Sequence, residues 1–362
     1  MSTVRTLVVP APGRLEVRET PEPPLAEGRF RAATLFTGVS AGTELTWFRG
    51  TSPYLAAGWD AELGLFEPGR PAQGFPVERL GYMEVAEVTA SRTPAVPEGG
   101  RVAMAYGHTT VHHGDPRTQH VVPLPEGLDP VLGVYVAHLG PICANGLLHA
   151  AADAGGTTLD AGVRGRLVLV TGGGAIGLLV GLLARHHGAA EVVVADPTPQ
   201  RRAAAEGLGL RAVDDDPDVL RELKVRWRHG PADHGADVVF QCRGQAGALA
   251  AALRALRPQG TVVDLAFYTA GADAVRLGEE FHHNGLALRC AQIGRVPRGL
   301  GHLWDRRRLS VETLDLLAAH GAAVREHLLS DVVPFDEAPQ LFADLSARRR
   351  HVLSAALALP PG

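Results

Sequence analysis

Apolar residues in the first third of the chain recur in short alternating runs, whereas in the middle third they gather into continuous ones. "TLVVP", "RLEVRE", "RFRAATLF", "MEVAEVTA", "RVAMAY" and "QHVVPL" are separated by turn formers such as "PAPG", "PEPP" and "PEGG". This rhythm predicts the strands of a β-rich unit running to about residue 133. The stretch 38–50, "GVSAGTELTWFRG", follows one of these strands and reads as a polar loop. Residues 51–76, rich in Gly and Pro, read as a long loop or lid.

From residue 134 the pattern changes. "VYVAHLGPICANGLLHAA" predicts a helix, and "RLVLV" at 166–170 predicts a strand that runs into "TGGGAIG" and a second helix. Strands are expected at 191–196, 236–242, 260–267 and 286–294, with helices from Thr198 and over 246–256. Apolar strands alternating with helices of this length indicate βαβ units, hence an α/β class with a doubly wound parallel sheet. The tail, "LSVETLDLLAAH" and "FDEAPQLFADLSARRRHVLSAAL", predicts helices and a last strand returning to the β-rich unit. The divisions expected are 1–133, 134–295 and 296–362.

Composition narrows the possibilities. The chain has 362 residues, 46% hydrophobic and 20% charged, with a net charge of −4, which suits a two-domain globular protein. No basic block argues for nucleic acid or a membrane surface as partner. The longest apolar run, near 175–184, is too short to span a bilayer. The first ten residues lack the pattern of a secretory signal, so a cytoplasmic location is expected. Cys143, Cys242 and Cys290 are scattered and form no CxxC pair, which argues against a disulfide framework and a thiolate zinc cluster. Lys224 is the single lysine and sits in the charged helical stretch "LRELKVRWR", which argues against lysine chemistry.

The glycine-rich turn is the most specific motif. Gly172, Gly174 and Gly177, with Ala175 and Ile176 between them, satisfy G-x-G-x-x-G after a strand and at a helix start. Gly172 allows the tight turn, Gly174 a close approach to a pyrophosphate, and Gly177 close helix–strand packing. Asp196 ends the next strand, 24 positions after Gly172. There it can accept from ribose hydroxyls and repel a 2′-phosphate, which favours NAD over NADP. Arg201 and Arg202 follow closely and offer charge to such a phosphate. Cys242 and Phe267 close later strands at the carboxyl edge, where ribose and nicotinamide are expected, with Tyr268 beside them. A glycine turn that binds nothing is the plain alternative.

These features together resemble the medium-chain dehydrogenase/reductase superfamily over nearly the whole chain. The resemblance implies a GroES-like catalytic domain made of 1–133 and 296–362, with a Rossmann domain between. Zinc-dependent members carry "G-I-C-G-S-D-x-H", then "G-H-E", then a later Cys or Glu, which supply the catalytic zinc ligands. In "GVSAGTELT" of this chain, Ser40 and Ala41 flank the cysteine's place, Thr43 takes that of the relay hydroxyl, and Glu44 that of the aspartate. In "LGYMEVAEV", Tyr82 and Met83 replace the His–Glu pair. Pro141 stands at the third ligand, two residues before Cys143, and the four-cysteine structural lobe is missing. The chain therefore resembles a zinc-independent branch. "GVSAGTE", "FHHNGLALRCAQIG" and "WDRRR" are similar to bacterial members that include bacteriochlorophyllide dehydrogenases. A homodimer paired through the strand near 286–292 is expected from relatives.

Zinc supplies several kcal/mol of transition-state stabilisation as a Lewis acid, so side-chain donors must replace it on a reacting carbonyl. The candidates are Tyr82 as electrophilic donor or general acid, Thr43 as relay, Ser40 and Glu44, with His108 as second choice for proton transfer. Alternatively Tyr82 only fills the vacated cavity and bonds Glu44. Tyr106, Trp47, His138 and Tyr268 are expected to face the substrate. His112 and His113 read as solvated or packing residues, and no metal is expected. The expected activity is hydride transfer between NAD (NADP less so) and a secondary alcohol or ketone. The substrate would be a small molecule, sugar-like or polyol-like, in a biosynthetic route. An enoyl or quinone reductase, or a non-catalytic dinucleotide-binding redox sensor, stays open.

Overall fold

The computed structural model of the chain describes residues 2–71 and 73–360. Ala72, within the expected 51–76 loop, lies outside them. The chain forms two compact units, Met1–His138 with Leu329–Gly362, and Leu139–Leu328. The first boundary thus falls at 138/139 rather than 133/134, and the return begins at 329 rather than 296. The reason for the second shift is the helix Arg306–His327, whose buried face includes Leu309, Thr313, Leu316 and Val324. It crosses the helix Leu139–Asp153 so tightly that a Cβ on Gly140 would lie 2.2 Å from Thr313 Cγ2. Periodicity marks such a segment as helical but does not say which unit it joins.

In the first unit a mixed sheet runs in the order Asp331–Pro334, Ala355–Ala358, Phe30–Val39, Glu84–Ser91, Arg101–Met104, Val121–Pro123. The last strand, Ala355–Ala358, pairs antiparallel with Phe30–Val39, which returns the tail to this unit. A hairpin, Thr3–Ala11 with Arg14–Pro21, stands beside the sheet.

Three local readings of this unit change. The stretch 38–50 contains a helix, Ala41–Arg49, closed by Gly50 in the left-handed conformation with its N–H directed to Thr46 O and Trp47 O. Gly42, Thr43, Thr46, Trp47 and Phe48 are weak helix formers. Packing holds it, because Leu45 and Phe48 enter a core with Leu341, Phe342 and Leu357. The expected 51–76 loop carries a hairpin, Ala57–Asp60 paired with Leu65–Pro68. His112 and His113 lie in a strand, Val111–Gly114, that pairs with Phe30–Ala33, and His112 is buried.

In the second unit six parallel strands run in the order Arg211–Val213, Glu191–Ala195, Leu167–Thr171, Ala236–Gln241, Leu256–Asp264, Ala287–Cys290. Chain order reverses between Leu167–Thr171 and Ala236–Gln241, so the ligand crevice of a doubly wound sheet opens at their carboxyl ends. Among the described residues no helix is long and apolar enough to cross a membrane.

Candidate active site

In the first unit the helix Ala41–Arg49 and the strand Glu84–Ser91 bring the sequence-predicted hydroxyls together. Tyr82 Oη donates to Ser40 Oγ and lies 3.5 Å from Thr43 Oγ1. Burial raises the Tyr82 pKa above its ordinary value, and the Glu44 charge adds to that. The phenol therefore keeps its proton near neutral pH and acts as a donor. The ring of His138 lies 4.5 Å from that of Tyr82, centroid to centroid.

Behind this cluster lies a fully buried pair. Glu44 accepts from Ser40 N–H (2.8 Å) with one oxygen and pairs with His108 Nε2 (2.8 Å) through the other. His108 Nδ1 meets Thr37 Oγ1 at 2.8 Å. Glu44 does not bond Tyr82; it orients the backbone of Ser40, which does. His108 is 0% exposed, so it stands behind the hydroxyls rather than among them. Gly81 makes the approach possible. Its φ is +90°, and a Cβ there would meet His108 Nε2 at 2.7 Å.

A second buried polar group escaped the sequence reading. Thr34 Oγ1 donates to Glu84 Oε1 at 2.7 Å, and His112 Nδ1 sits 3.9 Å from Glu84 Oε2, both of those last atoms lacking a hydrogen-bond partner. Burial pushes the Glu84 carboxyl up to about 8 and His112 down to about 4. His112 Nε2 meets Gln119 Oε1 at 3.1 Å. Tyr106 stacks edge-on against His112 with centroids 3.5 Å apart and packs against the Phe30–Met104 cluster. The signal available was Glu84 in the strand "MEVAEV", where alternation sets it on the same face as Ala86 and Val88 and opposite Glu87.

In the second unit the glycine turn has the expected form. A Cβ on Gly177 would fall 1.8 Å from Gly172 O, whereas a Cβ on Gly174 would meet nothing within 4 Å. The turn is closed on its inner side and open at Gly174, where Ala175 and Ile176 start the helix Ala175–His186. That geometry fits a dinucleotide pyrophosphate laid on a helix N-terminus. Asp196 is fully buried: Oδ1 accepts from Thr198 N–H and Oδ2 from Gly173 N–H, both at 2.8 Å. Burial pushes its carboxyl up, but these two N–H groups and Arg201 outweigh burial and hold it below the usual range. Asp196 thus ties the turn to the next strand. Arg202 donates to Asp196 O and Asp214 Oδ2, both at 2.8 Å. Arg201 lies 3.4 Å from Asp196 Oδ2, and its buried Nε has no hydrogen-bond partner.

Cys242 N–H donates to Thr171 O, which places it at the strand reversal, and Phe267 is 45% exposed beside Gly244. Tyr268 donates to Asp264 Oδ2 and accepts from Gln241 at 3.0 Å, and it packs against the core beneath the sheet. Cys143 is fully buried with Sγ directed at Ile176 O, and burial raises its thiol strongly. Lys224 donates to the carbonyls of Arg254 (2.8 Å) and Leu256 (2.7 Å), which caps the helix Ala246–Ala255. Tyr82 and Pro141, which the resemblance sets at two of the ligand places, and Ser40, which flanks the third, are poor zinc donors. Among the described residues no group of three or more His, Cys, Asp or Glu side chains converges on a metal position.

Residues 175–296 match the family described as zinc-binding dehydrogenase. D-guloside 3-dehydrogenase of Shigella flexneri is 28% identical over 352 residues, covering 94% of this chain and 95% of the relative. An alcohol dehydrogenase of Thermotoga maritima superposes with a TM-score of 0.76 at 17% identity, over 99% of this chain and 100% of the other. A protein of Sinorhizobium meliloti 1021, described as a zinc-binding dehydrogenase and solved bound to NADP, does so with a TM-score of 0.74 at 21% identity, over 99% and 100%. Residues 175–296 thus match a zinc-binding dehydrogenase domain, and over its whole length the chain is similar to dehydrogenases that act on alcohols and shares their two-unit fold.

Proposed function

We propose that this chain transfers hydride between a nicotinamide coenzyme and a secondary alcohol or ketone of a sugar-like or polyol-like substrate, without zinc. The observation that carries this is the Tyr82–Ser40–Thr43 hydroxyl cluster, standing where zinc-dependent members place metal ligands and backed by Glu44 and His108. The nicotinamide supplies or accepts the hydride. Gly172, Gly174 and Gly177 would hold its pyrophosphate and Asp196 its ribose, which favours NAD over NADP.

The chain's own residues handle the proton and the oxygen. Tyr82, with its pKa raised, enters the reaction protonated and turns its O–H from Ser40 to the substrate oxygen, stabilising the alkoxide that develops there. A preorganised donor of this kind is worth about 3 kcal/mol. In carbonyl reduction Tyr82 gives its proton to the alkoxide as hydride arrives, and Ser40 and Thr43 relay a proton from solvent back to the phenolate; in alcohol oxidation the same relay runs in reverse. Glu44 holds Ser40 by its backbone, and the buried His108–Thr37 contact holds Glu44. His138 supports the Tyr82 ring. A reacting group with neighbouring hydroxyls suits this polar floor better than an isolated enone. The D-guloside, a sugar derivative named for one relative, supports the same substrate class. The homodimer through the edge strand Ala287–Cys290, the biosynthetic role and the branch shared with bacteriochlorophyllide dehydrogenases belong to this reading too. They rest on the sequence resemblance.

The test is direct. Purified protein should reduce NAD with polyols or hexosides, leave enones untouched, and keep its rate after exhaustive chelation. Stoichiometric zinc whose removal stops turnover would end the metal-free reading. Enone reduction with no sugar oxidation would favour the reductase alternative.

A further inference from the structure

Four of the large apolar residues exposed among the described residues crowd into one short segment: Trp59, Leu63, Leu65 and Phe66. A cluster of this kind marks a contact surface. Its internal order is specific. Trp59 and Phe66 are direct cross-strand partners of the hairpin Ala57–Asp60/Leu65–Pro68, and their rings meet edge-on with centroids 5.1 Å apart. Phe66 contacts Tyr54 at 5.6 Å, and Tyr54 stacks nearly parallel to Trp47 at 6.0 Å and 13°. The ladder therefore runs from the hairpin to the helix Ala41–Arg49.

Its inner end lies beside the hydroxyl cluster. Trp47 is four residues after Thr43 on that helix, so the two side chains share one face. A two-stranded hairpin this small is marginal alone. Here Asp60 Oδ1 accepts from Glu62 N–H (2.8 Å) and Leu63 N–H (2.9 Å), closing the turn and holding Trp59 and Phe66 outward. The result is a preformed apolar strip, continuous with a polar site, whose far half is open to solvent.

We infer that the ladder Trp47–Tyr54–Phe66–Trp59 is a subsite for an apolar group carried by the substrate, so that the enzyme takes aryl or alkyl glycosides rather than free sugars. The inference rests on the sugar-like reading of the hydroxyl cluster and deepens it. The sugar ring lies at Tyr82, Ser40 and Thr43, and the aglycone lies along the aromatic faces. Remote apolar contact of this kind lowers KM for the substituted substrate.

The test compares phenyl and methyl hexopyranosides of the same sugar on the intact protein. The phenyl glycoside should show a KM about tenfold lower, the size of one good aromatic contact. Trp59→Ala should erase most of that ratio, and Trp59→Phe should restore it. Because each variant is scored as a ratio of two substrates, general damage cancels. Tryptophan fluorescence should also report phenyl glycoside binding without coenzyme, weakened in Trp59→Ala. Equal KM values for both glycosides in the unaltered protein overturn the ladder subsite and leave the sugar reading standing. Turnover of neither glycoside, with other alcohols oxidised, removes both. A Trp59→Ala variant that keeps the KM ratio but loses concentration-dependent self-association shows that the ladder seats a second copy of the chain instead.

Discussion

The glycine turn of the second unit and the hydroxyl floor of the first are the two proposed ligand sites, yet they are built in opposite ways. The turn is made of backbone: Gly172 to Gly177 span six consecutive residues, tied to the next strand by Gly172 N–H to Ala195 O and Gly173 N–H to Asp196. The floor is made of side chains from distant segments, with Tyr82 reaching Ser40 across 42 positions and His108 reaching Glu44 across 64. A backbone site depends on what a Cβ would strike. A side-chain site depends on which strands pair. Substitutions should therefore fail for steric reasons in one and for reasons of lost partners in the other.

The largest effect is expected inside the turn. Gly177→Ala puts a Cβ 1.8 Å from Gly172 O, so coenzyme binding should vanish in calorimetry and the thermal midpoint should drop. Gly174→Ala meets nothing within 4 Å. It should melt like the unaltered protein and lose only affinity for the coenzyme. Equal damage from both would dissolve the distinction between the closed and open sides of the turn.

Next in size is the buried support of the floor. His108→Ala leaves Glu44 Oε2 and Thr37 without their partner in a fully enclosed position, a loss of about 3 kcal/mol in denaturant unfolding. A cost near zero would mean that water replaces the imidazole.

Tyr82→Phe removes a donor without disturbing packing. Turnover should fall about a hundredfold, with coenzyme affinity and melting temperature retained. An unchanged rate would reduce Tyr82 to a filler of the metal cavity.

The smallest effect is a slope against pH. Glu84 is held protonated up to about 8 in the folded protein, against 4.5 for the ordinary side chain, so the native state binds the extra proton in between. Stability falls as pH rises through that window, by roughly 1.4 kcal/mol per pH unit for one full proton. His112, lowered from 6.5 to about 4, acts the other way: the unfolded chain binds its proton first, so stability is lost as pH falls. The two nearly cancel below 6.5, leaving a net decline from about 6.5 to 8. Glu84→Gln should flatten that decline in urea melts taken at each pH, and a variant with the original slope would assign it to other groups.

The sequence alone determined whatever depends on neighbours along the chain. Alternation located the strands of the first unit, continuous apolar runs located the parallel sheet, and G-x-G-x-x-G fixed its own turn. Each of those is set by local sterics and by a period of 2 or 3.6 residues. Ser40 and Thr43 were legible as site candidates in the polar stretch "GVSAGTELTWFRG" itself, whereas Tyr82 was legible only through the resemblance, which sets it at a metal-ligand place. Tertiary structure alone decided that "GVSAGTELTWFRG" folds as a helix, because Leu45 and Phe48 find a core supplied by residues some 300 positions later. It also decided that His108 faces Glu44, that Glu84 lies buried near His112, and that Trp59 continues a ladder to Trp47. Burial and pairing across such separations depend on chain topology, and no short window of residues contains it.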